Sequence, residues 1–159
     1  MGGLNCSPPY LPIMTIHEMR RRVKAVNLNK IGASIVVDHK EDVVQKNREQ
    51  LLRGEDKTES KLSPEYANKN YSRRKNQRNP FAGLGTPDLY NTGRFHESFK
   101  LRMDSEKKYT IFATDEKTSR LIKKYGKNIL GIAPKSNEEM RRDFFMPELR
   151  NGVAKELFR

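Results

Sequence analysis

Apolar residues recur at helical spacing through the first third of the chain, switch to strict alternation near residue 99, and return to helical spacing toward the C-terminus. Thr15-Ile16-His17-Glu18 is a capping box: the Thr15 hydroxyl can accept the Glu18 amide while the Glu18 carboxylate reaches back to the amide of Thr15. A helix is expected from there. Ile16, Met19 and Val23 form its apolar stripe, and Arg20, Arg21, Arg22 and Lys24 point elsewhere. Such a cation run can grip phosphate but is more often a solvated face. After Asn27 to Asn29 the pattern resumes at Ile31, Ile35, Val36, Val43, Val44 and Leu51. That spacing predicts a long amphipathic helix stopping at Gly54, with a break near residue 30 where Gly32 and Ser34 weaken its start. His39 reads as a surface histidine.

From Glu55 to Pro87 the periodicity disappears. Gly, Pro, Ser, Asn and charged residues dominate, and the only helix expected is a short one after Ser63-Pro64-Glu65. Loops of this length inside a domain are usually functional or disordered, and a functional one is expected here. Tyr66 and Tyr71 precede Arg73, Arg74, Lys75 and Arg78. Rings and cations in that order can sit on a phosphate backbone or stack on bases. They can equally hold a neighbouring subunit, because Tyr and Arg are enriched at interfaces. Gly83-Leu84-Gly85 has no strand before it and no Gly-Lys-Ser/Thr after it, so a phosphate-loop reading has little support.

The pattern changes over Pro87 to Phe99. Asp88 is expected as an N-cap or turn residue, Leu89, Phe95 and Phe99 as apolar anchors, and Gly93 as the structural pivot of the backbone. Phe99, Leu101 and Met103 then alternate with Lys100, Arg102 and Asp104. Ser105 to Lys108 make a polar turn, and Tyr109, Ile111 and Ala113 alternate again, which predicts a β-hairpin. Thr114 to Lys117 open a helix in which Leu121, Ile122 and Tyr125 turn inward and Gly126 stops the run. Ile129 to Ala133 is enough for a third strand or a buried turn. Ser136-Asn137-Glu138-Glu139 is a second capping box, starting a helix through Met140, Phe144 and Phe145. Pro147 either kinks that helix or begins another through Leu149, Val153 and Leu157, with Gly152 an unfavourable residue inside it.

Composition narrows this picture. A chain of 159 residues suits one domain, yet 35% hydrophobic against 33% charged residues, with no Trp, makes a lean core. Either extended segments lie outside that core or a partner completes it. The segment 1–14 holds Gly2, Gly3, Pro8, Pro9 and Pro12, which disfavour helix, beside apolar residues. It reads as an extended arm that docks through Tyr10, Leu11 and Ile13. A net charge of +12 favours an anionic partner, either nucleic acid or an acidic neighbouring subunit. The single cysteine, Cys6, excludes an internal disulfide and a Cys-rich metal site, and fits a reducing compartment. No run approaches the roughly 18 apolar residues of a membrane span, and no signal-peptide pattern opens the chain, so a soluble protein without a membrane partner is expected.

Catalytic chemistry is hard to assemble from these residues. His17, His39 and His96 are far apart and lack ligand spacing, Cys6 has no nucleophile context, and the carboxylates mostly alternate with cations. His96, Glu97 and Ser98 form a catalytic set only as a list, because adjacent residues point in different directions. The expectation is a protein that is not an enzyme, with no catalytic, metal or cofactor-binding residues and no cofactor. Replacing His96 or Ser98 should be mild, whereas replacing Gly93 should damage folding and assembly together.

Several segments occur in a familiar order: Asn47 to Gly54, then Leu62-Ser63-Pro64-Glu65-Tyr66, then Pro87-Asp88-Leu89 with Thr92-Gly93-Arg94-Phe95 and Ser98, and finally Leu121, Lys124-Tyr125-Gly126 and Ile129. Over roughly residues 43–159 the chain resembles small virion proteins of tailed bacteriophages, the head-tail connector, neck and tail-completion proteins. Many of these show Thr-Gly-x-Leu/Phe-x-x-Ser before a β-hairpin, then Tyr-Gly and a C-terminal helix. Relatives often follow the Tyr-Gly with Pro-x-Arg-Pro-Phe, where this chain has Gly131-Ile132-Ala133-Pro134 and Arg142-Asp143-Phe144-Phe145.

The resemblance implies a virion structural protein, made in the host cytoplasm, working as one subunit of a homo-oligomeric ring. Other neck, portal or tail proteins would be its partners, with DNA passing through the lumen. The fold class expected is α+β: long N-terminal helices, a small antiparallel β-hairpin or three-stranded sheet, and C-terminal helices. The chain would divide into an extended N-terminal arm (1–14), a helical region (15–54), a long basic loop (55–87) and an α+β core (88–159). The alternative expectation is a basic nucleic-acid-binding protein of a phage or mobile element, with Tyr66, Tyr71, Arg73, Arg74, Lys75 and Arg78 as its contact patch.

Overall fold

A computed structural model describes residues 14–159, so the arm residues Tyr10, Leu11 and Ile13 lie outside the described part. The fold is α+β: helices packed on one two-stranded antiparallel sheet. The first helix, α1 (Ile16–Ala25), begins as the sequence predicts, with the Thr15 Oγ accepting the Glu18 amide at 3.2 Å. Instead of returning to Thr15, the Glu18 carboxylate pairs with Arg22 at 2.8 Å. Next come α2 (Leu28–Asp38), capped by the Asn27 side chain, and α3 (Lys40–Leu52). The break in the expected long helix falls at His39, not near residue 30. The segment expected as a long basic loop with one short helix contains α4 (Lys69–Arg78), which starts after Asn68, later than the Ser63-Pro64-Glu65 signal suggests.

The hairpin forms where alternation predicts it. Strand β1 (Phe99–Ser105) pairs with β2 (Lys108–Ala113), placing Phe99 opposite Ala113, Leu101 opposite Ile111 and Met103 opposite Tyr109. The single turn α5 (Arg94–Glu97) precedes it, and α6 (Thr118–Tyr125) follows and ends at Gly126. Helix α3 lies against the hairpin and supplies both sides of the core. Its Val44 and Leu51 join Leu62, Phe95, Phe99 and Ile129, while its Val43 joins Ile111 and Met140.

No third strand forms among the described residues. Lys127–Ile129 is a 3₁₀ turn, and the backbone after it bonds to side chains of α3. The Asn47 Nδ2 donates to the Ile129 carbonyl at 3.1 Å, and the Gly131 amide donates to the Asn47 Oδ1 at 3.4 Å. Gln50 likewise accepts the Ala133 amide at 2.9 Å and donates to the Gly131 carbonyl at 3.4 Å. Both amide side chains are fully buried, which explains polar residues on the inner face of α3. Replacing Gln50 with Leu keeps the volume but strands those backbone groups. A loss of about 1–3 kcal/mol in urea unfolding is expected, with the far-UV spectrum unchanged.

The C-terminal helix starts earlier than its expected capping box. Helix α7 (Pro134–Met140) begins at Pro134, so Ser136 is buried within the first turn and caps nothing. A π turn over Arg141–Phe145 joins it to α8 (Met146–Leu157), with Pro147 in the first turn of α8. Gly152 has a packing reason, since a Cβ there would lie 2.7 Å from the Ile31 side chain where α8 crosses α2. Arg22 of α1 donates to the carbonyl of Leu157 at 2.9 Å, satisfying one last-turn acceptor of α8.

Candidate functional site

Asp88 organises the central stretch. Its side chain is 3% exposed and meets Lys75 Nζ at 2.7 Å, with the Lys75 side chain only 11% exposed. Asp88 also accepts hydrogen bonds from the Tyr66 hydroxyl at 3.2 Å, the Asn79 amide group at 3.1 Å and the Tyr90 backbone amide at 3.1 Å. Lys75 further donates to the Tyr90 carbonyl, and Asn79 to the Leu52 carbonyl at 2.7 Å. Helix α4 has almost no apolar residues and is therefore docked by charge and amide groups on its inner face. Burial pushes the Asp88 carboxyl up, but the bonds from Lys75, Asn79 and Tyr90 outweigh it and hold the group below its ordinary value. Burial, reinforced by the Asp88 charge, raises the Tyr66 phenol well above its ordinary value.

The six candidate contact residues separate into two groups. Tyr66, Tyr71 and Lys75 turn inward, the two rings meeting edge to face at 4.9 Å, whereas Arg73, Arg74 and Arg78 remain exposed. Lys75 is thus an anchor of α4 and not a contact for a phosphate. Phe81 and Leu84, just beyond α4, are 80% and 64% exposed and add an apolar tip with no periodic signal in the sequence.

Gly93 takes the left-handed conformation, φ 87°, at the start of α5. A Cβ there would lie 3.1 Å from the Glu97 carboxylate and 3.2 Å from the Tyr90 hydroxyl, so it is both a pivot and a close approach. His96 differs from expectation. It is buried, its Nε2 lies 3.0 Å from the Asp88 carbonyl, and its ring stacks on Phe99. Burial lowers its pKa, keeping the ring neutral, and Nδ1 has no partner among the described residues. A change at His96 therefore removes core packing. Ser98, whose hydroxyl donates to the Phe95 carbonyl at 2.8 Å, remains a peripheral contact.

Beside this stretch lies an open cleft of about 170 Å³. Tyr66, Tyr71, Tyr90 and Tyr125 line it, together with Arg94 and Lys117. Tyr90, Tyr125, Arg94 and Lys117 were not assigned a binding role from sequence, because the cleft gathers them from separate segments.

His39 is not a free surface group. Its Nδ1 lies 2.8 Å from Asp42, its Nε2 lies 2.6 Å from Glu148 of α8, and its ring stacks on Phe144. Hydrogen bonds to Asp42 and then Glu148 raise its pKa above the ordinary 6.5. Its contribution to stability is full below the unfolded pKa and is lost as pH rises through the folded one. His96 acts in the opposite direction, since burial disfavours its protonation, so a Glu148→Gln comparison is needed to isolate His39. The stability advantage of wild type over Glu148→Gln in urea should be larger near about pH 6 than near about pH 8.

Helix α1 contributes no buried residue. Its apolar stripe is the one the sequence predicts, but it faces solvent: Ile16, Met19 and Val23 are 86%, 45% and 55% exposed. Among the described residues there is no cluster of three or more His, Cys, Asp and Glu able to hold a metal ion, and no helix is long and apolar enough to cross a membrane. No family model, curated protein or solved structure matches the chain.

Proposed function

We propose that the protein is a non-enzymatic structural subunit of a virion, one member of an oligomeric ring or adaptor in the head-tail connector (neck) or tail of a tailed bacteriophage. The observation that carries the assembly part of this reading is α1, a ten-residue helix with no buried residue and an outward apolar stripe. Helices of this length are marginal in water unless packing supports them. A neighbouring subunit would supply that packing by covering Ile16, Met19 and Val23. The resemblance in the order of its sequence motifs supports placing the subunit in a neck or tail.

The exposed tip at Phe81 and Leu84, which follows α4 with its exposed Arg73, Arg74 and Arg78, suits a second contact with an acidic neighbour. Reversing Arg73 and Arg74 to Glu should weaken assembly while leaving unfolding within about 0.5 kcal/mol, because both side chains are exposed. Negative-stain imaging of the full chain, alone and with virion neck or tail components, tests the reading. Closed rings or incorporation into a neck or tail complex support it, and failure to form either sinks it.

A further inference from the structure

We propose that the tyrosine cleft binds one unstacked base of single-stranded nucleic acid. Four of the chain's six tyrosines converge on it from separate segments: Tyr66 ahead of α4, Tyr71 on α4, Tyr90 in the central stretch and Tyr125 on α6. A cleft of about 170 Å³ with aromatic walls has room for one planar ring system and not for a duplex. Base-aromatic stacking is tolerant of sequence because every base presents a π face.

The cleft's charge favours a ring that carries an anion. Arg94 and Lys117 are both exposed at the cleft, and neither forms an ion pair among the described residues. Asp115 also lines the cleft and accepts the Lys117 backbone amide at 2.8 Å, so the two cations outnumber the one carboxylate there. A base in the cleft would bring its own phosphates to these cations, in a chain whose net charge is +12. An apolar side chain from another protein would leave them unpaired.

The walls are held in place before any ligand arrives. Tyr66 is fixed by its hydrogen bond to Asp88, Tyr71 by its edge contact with Tyr66, and Tyr90 by its edge contact with His96 at 5.3 Å and its closeness to Gly93. Tyr90 is also 45% exposed, so its ring can be removed without opening the core. This site does not depend on the ring reading above.

The chain has no Trp, so its emission comes from tyrosine, and four of its six tyrosines line the cleft. The full-length protein is titrated with a short oligothymidine strand, an abasic strand of the same length and a duplex of the same length. The expected result is quenching by the oligothymidine, with the abasic strand and the duplex both binding at least about ten-fold more weakly. Tyr90→Ala should lose about ten-fold in affinity while Tyr90→Phe retains it. Lys117→Glu should weaken binding and reduce the salt slope by about one, more than Arg20→Glu on α1 does.

Equal binding of the abasic strand or the duplex would overturn the proposal, as would equal effects of Lys117→Glu and Arg20→Glu. Concentration-dependent quenching without any oligonucleotide that persists in a Met19→Glu, Val23→Glu variant would show that a neighbouring copy fills the cleft. That result overturns nucleotide binding while leaving the assembly reading intact.

Discussion

Replacing Asp88 with Ala is expected to cost about 3–5 kcal/mol of stability, because it leaves a buried ammonium without its counter-charge. Lys75 would keep only its bond to the Tyr90 carbonyl, and the Tyr66 hydroxyl and the Tyr90 amide would each lose an acceptor. With so few apolar side chains on α4, no hydrophobic contact compensates, and α4 should detach before the core unfolds. Hydrogen exchange resolves this: protection should collapse over 66–79 while the α3 and hairpin amides keep theirs. Removing both charges, as Lys75→Met with Asp88→Leu, should recover much of the loss, since a buried pair is costly mainly when it is broken. Because the Asp88 carboxyl is held below its ordinary value, its contribution is full above the unfolded pKa and disappears as pH falls through the folded one.

The second large effect concerns assembly. Glu at both Met19 and Val23 places two carboxylates in the apolar stripe of α1. In the free chain these side chains are 45% and 55% exposed, so the thermal midpoint should scarcely move. In an assembled subunit, Ile, Val and Met side chains contribute about 1.5–3 kcal/mol each when fully buried, and an unpaired buried carboxylate adds a further penalty. Assembly should therefore weaken by several orders of magnitude at unchanged fold. Ala at the same two positions should give an intermediate effect, separating lost contact from introduced charge.

These two effects show which parts of the fold were legible beforehand. The hairpin was, because alternation at Phe99, Leu101 and Met103 matches a half-buried strand and nothing competes with it. The start of α1 was, because Thr15 caps through its own side chain. The direction of the α1 stripe was not: periodicity says that Ile16, Met19 and Val23 share a face, and only tertiary contacts say whether that face is covered. A short helix was expected after Ser63-Pro64-Glu65, but the position and length of α4 were hidden because its inner face is built from Lys75, Ser72 and Tyr71, which give no apolar periodicity. Asn47 and Gln50 carry no apolar signal either, although they replace the strand partners that Ile129 to Ala133 lacks. The apparent capping box at Ser136 misled because Pro134 opens the helix one half-turn earlier. Of the candidate site, the Tyr66 and Tyr71 pairing with a basic helix could be seen in part, but the junction through Asp88 and the convergence of Tyr90 and Tyr125 are long-range and leave no local spacing.

The proposed assembly runs through the outward face of α1. Native mass spectrometry of the wild type and the Met19→Glu, Val23→Glu variant over a micromolar range, alone and with neck or tail components, tests it most directly. A discrete ring or adaptor complex is expected for the wild type and a folded monomer for the variant. A wild type that stays monomeric in every mixture, or a variant that assembles equally well, would contradict it.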